Sequence, residues 1–401
     1  MKHTKRITAA LAAAVTLFLL AFPGVLADDD VLMTSSVSLA ETGAETAEMP
    51  FAVDCRGAVL IDTATGTVLC SYHADEPFPP ASVTKVMTLL LTMEAIENGQ
   101  LRYDQMLSAS EYAASMGGSQ IYLKAGEEMS VEDLLKSVIV SSANDAAVVL
   151  AENVAGSEES FVARMNERAR ELGMTTASFE NVTGLDDDTV NHVLSAMDIA
   201  ICSRELLRHS KILEYSGIWM DTIRGGAFGL TNTNRLIRFY SGATGLKTGS
   251  TARAMFCISA TAERDGLSLI AVVMGAPDRD TRNEIAKKML DWGFANYCLY
   301  RDDGGECGSV PVLGGTADYC KCSYRGDSFL LGKGKDKNVE TTVSVPEKVA
   351  APVKAGDKIG EVIYTLDGEE LGRADVVAAE EVPKIGFFGN LFRILSLFLL
   401  R

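Results

Sequence analysis

The chain has 401 residues, 47% of them apolar and 23% charged, a balance that excludes both wholesale disorder and a wholly membrane-embedded protein. Its formal net charge of −17 excludes nucleic acid as a partner, because such surfaces neutralise phosphates with Lys and Arg. The length fits two or three domains and allows a large core without help from disulfides or metal.

Residues 1–27 have the form of an export signal. Lys2, Lys5 and Arg6 precede an apolar run over 7–20, and Val25-Leu26-Ala27 sets a cleavage junction before Asp28. The run is short for a span of ~20 residues, so removal is expected. The remainder then carries 34 basic and 54 acidic residues, a net charge of −20. Residues 28–49 are acidic, rich in Ser, Thr and Ala, and lack an apolar period, which predicts a flexible tether with order beginning near Phe51.

Ala58-Val59-Leu60-Ile61 and Thr67-Val68-Leu69-Cys70 flank the turn residues 62–66 and predict a hairpin. Pro79-Pro80-Ala81 then leads into a helix over 82–97, stopped by Asn98-Gly99. Helical periodicity returns over 132–153, 159–172 and 198–208. Strands are predicted at 255–261 and 268–274, joined by a turn at Asp265-Gly266, with a last long helix over 281–297. Strands first, helices in the middle, then strands and a helix make an α+β order with one sheet built from both ends of the domain. That domain is placed at 50–300. Gly-rich turns and short strand-like segments at 341–345, 358–364 and 374–378 predict a small all-β domain over 301–383. Residues 384–401 are crowded with Phe, Leu and Ile and have a narrow polar stripe at Asn390, Arg393 and Ser396. They predict an amphipathic helix lying on a membrane surface rather than spanning it.

Eight cysteines are scattered through the chain and are expected to be mostly free and buried. Cys320-Lys321-Cys322 is too tight for a zinc knuckle, and His3, His73, His192 and His209 have no ligand spacing. No metal or organic cofactor is expected.

Three short signals carry the chemistry. In Ser82-Val83-Thr84-Lys85 the Ser and Lys are three apart, which puts both on one helix face, with Ser82 at the helix start among free backbone N–H groups. Lys85 is placed to take the Ser82 proton if its pKa is lowered. Ser142-Ala143-Asn144 interrupts an apolar helical pattern with polar groups that need partners when buried. An inter-helix loop with a cap would read the same way. Lys247-Thr248-Gly249, followed by Ser250 and leading into the strand at 255–261, offers a charge for a carboxylate, hydroxyl hydrogen bonds, and a glycine that admits close approach. The bland reading is an exposed turn.

Together these signals, in this order, resemble the low-molecular-mass penicillin-binding proteins, the D-alanyl-D-alanine carboxypeptidases of the S11 peptidase family. The resemblance covers residues 50–380 and extends to Gly118-Ser119-Gln120, Asn181-Val182-Thr183-Gly184-Leu185, Asn232-Thr233-Asn234-Arg235-Leu236 and Thr244-Gly245-Leu246. It implies a β-lactamase/DD-peptidase-like fold, an antiparallel sheet with a helical subdomain, followed by the small all-β domain. It implies Ser82 as the acylated nucleophile, Lys85 as general base and Ser142 as proton relay. Asn144, Lys247, Thr248, Gly249 and Ser250 would bind the substrate, with the N–H groups of Ser82 and Ser250 forming the oxyanion hole. Two lysines converging on one Ser are expected to depress each other's pKa. The implied partners are peptidoglycan stem peptides ending in D-Ala-D-Ala, β-lactams as covalent inhibitors, and the outer face of the cytoplasmic membrane through the tail. This chain has Ser250 where some relatives have His or an aromatic residue, and Met255 after Ala254 where many have Gly.

Three alternatives use the same signals. A class A-like β-lactamase needs a deacylating Glu in a Glu-x-x-x-Asn pattern, and Glu180 is followed at once by Asn181. Such an enzyme would also end near residue 297. A DD-endopeptidase shares the acyl-enzyme chemistry. A non-catalytic peptidoglycan-binding relative should have lost Ser82, Lys85 or Lys247, and all three are present.

Overall fold

Gly57–Asp62 (β1) is buried at every position, so its apolar run serves two faces at once. In the computed structural model, which describes residues 47–187 and 189–399, this strand lies inside a five-stranded antiparallel sheet. The longer elements follow in chain order. After β1 come Val68–Tyr72 (β2) and a 3-10 turn at Ala81–Thr84 that runs into Lys85–Glu97 (α1). Four helices follow: Val131–Val140 (α2), Asn144–Ala155 (α3), Glu158–Glu171 (α4) and Ala196–Leu206 (α5). Ala243–Thr251 (β3), Met255–Arg264 (β4), Leu267–Ala276 (β5) and Arg279–Asn296 (α6) complete the domain. The sheet order is β2-β1-β5-β4-β3, so both ends of the domain do build one sheet.

Alternation along the central strands sorts the core into two layers. Val59 and Ile61 of β1 and Ile270, Val272 and Met274 of β5 pack with the helical subdomain. Ala58, Leu60, Leu269, Ala271 and Val273 face the other way, onto Ile285, Met289, Leu290 and Phe294 of α6. Gly293 is the point of closest approach. A β-carbon there would lie 2.6 Å from Leu269 Cδ1 and 3.1 Å from Leu60 Cδ2.

Four of the helices begin at side-chain caps. Ser130, Ser157, Ser195 and Asp278 each accept a backbone N–H from the first turn of α2, α4, α5 and α6. The Ser195 cap starts α5 at Ala196, two residues before the periodicity predicts. The helix expected over 132–153 is two helices. Ser141 Oγ donates back to Ser137 O at 2.9 Å, Ala143 N–H donates to the same carbonyl at 3.1 Å, and Ser142 takes a left-handed φ of 63°. The segment around Lys247 is a strand in its own right rather than a lead-in to the next. It forms the sheet edge β3, with Lys247 opposite Ser259 and Gly249 opposite Cys257. Glycines and a lysine hid its strand character.

Met49, two residues before the expected start of order at Phe51, is already tied to β2, its N–H donating to Ser71 O at 3.0 Å. The export signal and residues 28–46 lie outside the described residues.

The boundary expected at 300/301 falls inside a strand. Tyr297–Arg301 (β6) follows α6 directly and pairs with a strand of the second domain. That domain adds Gly304–Leu313 (β7), Tyr319–Arg325 (β8), Ser328–Gly332 (β9), Val339–Ser344 (β10), Val349–Ala350 (β11), Lys358–Leu366 (β12) and Glu369–Ala378 (β13). Its main sheet runs β10-β12-β13-β8-β7-β11, and β6 pairs with β9. Asp302 accepts the hydroxyls of Tyr324 and Tyr364 at 3.0 and 2.9 Å, which satisfies polar tips inside a small apolar core. All eight cysteines are free, five of them buried.

The tail forms the helix Phe387–Leu399 (α7). Arg393 pairs with Asp318 and donates to Gly315 O at 3.3 Å, so the helix touches the β-domain through its polar stripe. Phe387, Phe388 and Phe392 are 78–82% exposed. Among the described residues no helix is long and apolar enough to cross a membrane.

The packing at Gly293 yields a stability test. Gly293→Val should destabilise the protein by about 1–3 kcal/mol through overpacking between α6 and the sheet, read as a lowered midpoint in denaturant unfolding. An unchanged midpoint would mean that the contact is loose.

Candidate active site

Three elements meet at one point: the turn before α1, the break between α2 and α3, and the edge strand β3. Ser82 sits in the turn, half-buried, and Lys85 is fully buried at the start of α1. Lys85 Nζ lies 2.9 Å from Ser82 Oγ and donates to Thr183 O at 2.7 Å. The i, i+3 spacing therefore delivers the pair, although through a 3-10 turn rather than a regular helix start.

Ser142 and Lys247 form a second serine–lysine pair. Lys247 Nζ donates to Ser142 Oγ and to Thr248 O, both at 2.8 Å, and Lys247 is 1% exposed. Ser142 is thus hydrogen-bonded to Lys247 rather than to Lys85. Thr248 Oγ1 donates to Thr233 Oγ1 at 2.8 Å. Gly249 brings β3 against the nucleophile's backbone. A β-carbon there would lie 2.7 Å from Ser82 N and 2.9 Å from Val83 N. Ser250 follows, exposed, at the mouth of the site. The turn reading of the Lys247 segment is corrected, since five consecutive residues of β3 are buried.

Asn144 Nδ2 donates to Gly117 O at 2.7 Å, and its backbone N–H donates to Ser119 O at 2.7 Å. The Asn144 amide oxygen is buried with no partner among the described residues. Next to it, Asp145 accepts the N–H groups of Ile121 and Leu123 at 3.0–3.1 Å and locks the 121–123 segment onto α3.

The electrostatics follow from burial. Desolvation holds Lys85 well below the ordinary lysine range, the Lys247 charge pushes the same way, and Asp145 opposes them. Lys247 is held at about 7 by burial and then by Arg282. Arg282 is itself buried, hydrogen-bonded to Asn283 Oδ1 and Cys257 O without a carboxylate. The expected mutual depression therefore acts on Lys85, while at Lys247 the neighbouring cation is Arg282.

Several contributors carry no motif of their own. Thr183 and Thr233 lie in the flanking segments 181–185 and 232–236, to which the sequence alone assigns no role, and Asp145 and Arg282 are singled out only by burial and distance. Glu180, weighed above as a deacylating base, accepts the N–H groups of Val190 and Asn191 at 2.8 and 2.9 Å and closes its own loop instead.

A family model described as D-alanyl-D-alanine carboxypeptidase matches residues 43–278, and one described as penicillin-binding protein 5, C-terminal domain, matches residues 300–384. The chain is 40% identical over 364 residues to the D-alanyl-D-alanine carboxypeptidase DacF of Bacillus subtilis, covering 89% of this chain and 92% of the relative. Penicillin binding protein 5 from Haemophilus influenzae superposes with a TM-score of 0.70 at 29% identity, over 84% of this chain and 99% of that one. The ampicillin-bound form of penicillin-binding protein D2 from Listeria monocytogenes superposes with a TM-score of 0.56 at 31% identity, over 61% of this chain and 100% of that one.

The Lys247 environment sets a pH dependence. Its positive charge is present below about pH 7 and lost above it. For a substrate bearing a carboxylate, kcat/KM should fall as pH rises through that range. Lys247→Arg stays charged throughout and should flatten this alkaline limb while lowering the maximum, because the guanidinium has a different shape. Lys247→Met should lose more than Lys247→Arg at every pH. Equal losses in the two variants would make Lys247 structural.

Proposed function

The chain belongs to the D-alanyl-D-alanine carboxypeptidase family and has the penicillin-binding fold, and we propose that it works through an acyl-enzyme on Ser82 with Lys85 as the base. It is a serine-type carboxypeptidase that removes the terminal D-alanine from peptidoglycan stem peptides and takes β-lactams in the same site. The observation that carries the residue roles is the buried Lys85 Nζ at 2.9 Å from Ser82 Oγ.

The steps balance as follows. Neutral Lys85 accepts the Ser82 proton as Oγ bonds to the penultimate D-alanine carbonyl. The oxyanion that forms is met by the N–H groups of Ser82 and Ser250. The C–N bond breaks as Ser142 gives its proton to the leaving D-alanine amine and recovers one from the Lys85 ammonium, which is thereby a neutral amine again. Lys247 and Thr248 hold the substrate carboxylate, Gly249 keeps the strand close, and Asn144 receives the peptide. A water then adds to the ester, neutral Lys85 takes its proton and returns it to Ser82 Oγ as the acyl C–O bond breaks, which regenerates both the hydroxyl and the free amine. No cofactor enters.

Ser82→Ala should abolish covalent labelling by a fluorescent penicillin and leave thermal unfolding nearly unchanged. Mass spectrometry of the labelled peptide locates the adduct. Label on Ser142, or full labelling of the variant, would refute the assignment.

The protein is exported and held at the outer face of the cytoplasmic membrane by α7. Support comes from the signal-like residues 1–27 and from six exposed apolar side chains, Phe387, Phe388, Leu391, Phe392, Ile394 and Leu395. Partial burial of such side chains in an interface contributes several kcal/mol, at up to ~1.5–3 kcal/mol each when fully buried. Without residues 1–27 the net charge is −20, so the protein gains nothing from an anionic lipid surface, and attachment is apolar and resists salt. Truncation after Pro383 should release a soluble protein that still binds penicillin and still frees D-alanine from a diacetylated Lys-D-Ala-D-Ala peptide. A truncated form that still pellets with membranes, or a full-length form that washes off in salt, would refute the anchor.

A further inference from the structure

Behind the nucleophile lies a buried hydrogen-bonded chain that none of the steps above uses. Thr84, the last residue of the turn carrying Ser82, is fully buried, and His192 is 4% exposed. Thr84 Oγ1 donates to Ala81 O at 2.8 Å. A hydroxyl has one proton to give, so in the 2.8 Å contact between Thr84 Oγ1 and His192 Nε2 the donor is Nε2–H. His192 Nδ1 accepts from Glu180 N–H at 3.0 Å and so carries no proton. Every proton in the chain is thereby assigned, and the imidazole is neutral with its hydrogen on Nε2. Burial keeps it so, holding His192 at about 4, with Lys85 pushing the same way and Glu180 and Asp186 opposing. A second proton would set Nδ1–H against Glu180 N–H.

Two reactive parts hang from this chain. Ala81 has a φ of 49°, in the left-handed region that a residue with a β-carbon rarely adopts. The carbonyl that Thr84 grips is in the same rigid peptide plane as Ser82 N–H, and the two point in opposite directions. Fixing one aims the other. The loop that ends at His192 also carries Thr183, whose carbonyl accepts from Lys85 Nζ. The same loop presses Gly184 so close that a β-carbon there would lie 1.9 Å from Ala81 O.

We propose that His192 is a positioning residue, which acts through Thr84 to aim Ser82 N–H into the oxyanion site and to keep the Thr183 carbonyl on Lys85. This rests on the reading of Ser82 as the nucleophile. Its readouts are the second-order rate of penicillin acylation, the split between kcat and KM on a D-Ala-D-Ala peptide, and the pH profile of acylation.

Thr84→Val and His192→Phe should slow acylation about tenfold or more, the scale of a misaimed oxyanion donor, with KM changed less than about twofold. Thr84→Ser keeps the hydroxyl and should stay within about threefold of the parent. The double variant should be no slower than either single one, because both break one chain. Water admitted beside Lys85 relieves its desolvation, so the acid limb of the profile should move to higher pH in Thr84→Val and His192→Phe but not in Thr84→Ser. The groups facing Lys85 there, Lys247 and Asp145, are unchanged in all three. Acylation of His192→Phe at the parent rate, additive losses in the double variant, or a Thr84→Ser as slow as Thr84→Val would overturn the proposal. If His192→Phe does not fold, the two Thr84 variants decide. Absence of an adduct on Ser82 in the parent would overturn the nucleophile assignment instead, whereas a normal adduct with unaffected variants overturns only this inference.

Discussion

Two amino groups share one dry site, and the rest of the active centre is arranged around that fact. A buried ammonium without a carboxylate is costly, and the ordinary response is to give up its proton. Lys85 and Lys247 have hydroxyl and carbonyl partners but make no ion pair among the described residues. Burial therefore produces a base at Lys85, and the neighbouring Lys247 charge deepens the effect. Lys247 keeps its own proton to about 7, which leaves a cation for a carboxylate beside a neutral amine for the Ser82 proton. One physical cause, loss of hydration, gives two lysines different jobs.

The fold supplies that dryness. Residues 85–93, the first two and a half turns of α1, are buried on every side, so Lys85 enters the core with its helix. Edge strand β3 closes the site from the sheet, and the α2–α3 break closes it from the helical subdomain. Two of the eight non-glycine residues with positive φ among the described residues lie at the site. Ala81 and Ser142 both have left-handed backbone angles, and each is held by side-chain hydrogen bonds or packing from distant segments. Gly249 and Gly184 remove the two β-carbons that would keep β3 and the 180–192 loop away from the nucleophile's turn.

Much of this was legible in the sequence because it is local. The Ser82–Lys85 spacing, the flanking Pro80 and the alternating strands each encode their own geometry. The α+β order gave the sheet its two-ended construction. What was not legible depends on contacts between distant residues. The Lys247 segment looked like a turn because its strand character comes from pairing with β4, not from β-branched side chains. The break at Ser142 was hidden inside an apolar period, since a left-handed residue leaves no mark on hydrophobic spacing. Arg282 and His192 acquire meaning only from burial and from partners 25 and 108 positions away. The tail was read correctly as a helix with an apolar face, but its tie to the β-domain through Arg393 and Asp318 required the fold.

The central claim is that burial lowers the Lys85 pKa, so that its amine can accept the Ser82 proton. Lysine side chains labelled with 15N give Nζ signals whose shift follows protonation, and a Lys85→Arg variant identifies the signal by its loss. The account predicts a Lys85 titration midpoint well below the ordinary lysine value of 10.5, with a second depressed midpoint near 7 for Lys247. A Lys85 midpoint in the ordinary range would contradict it, because an ammonium beside Ser82 cannot accept the proton on which acylation depends.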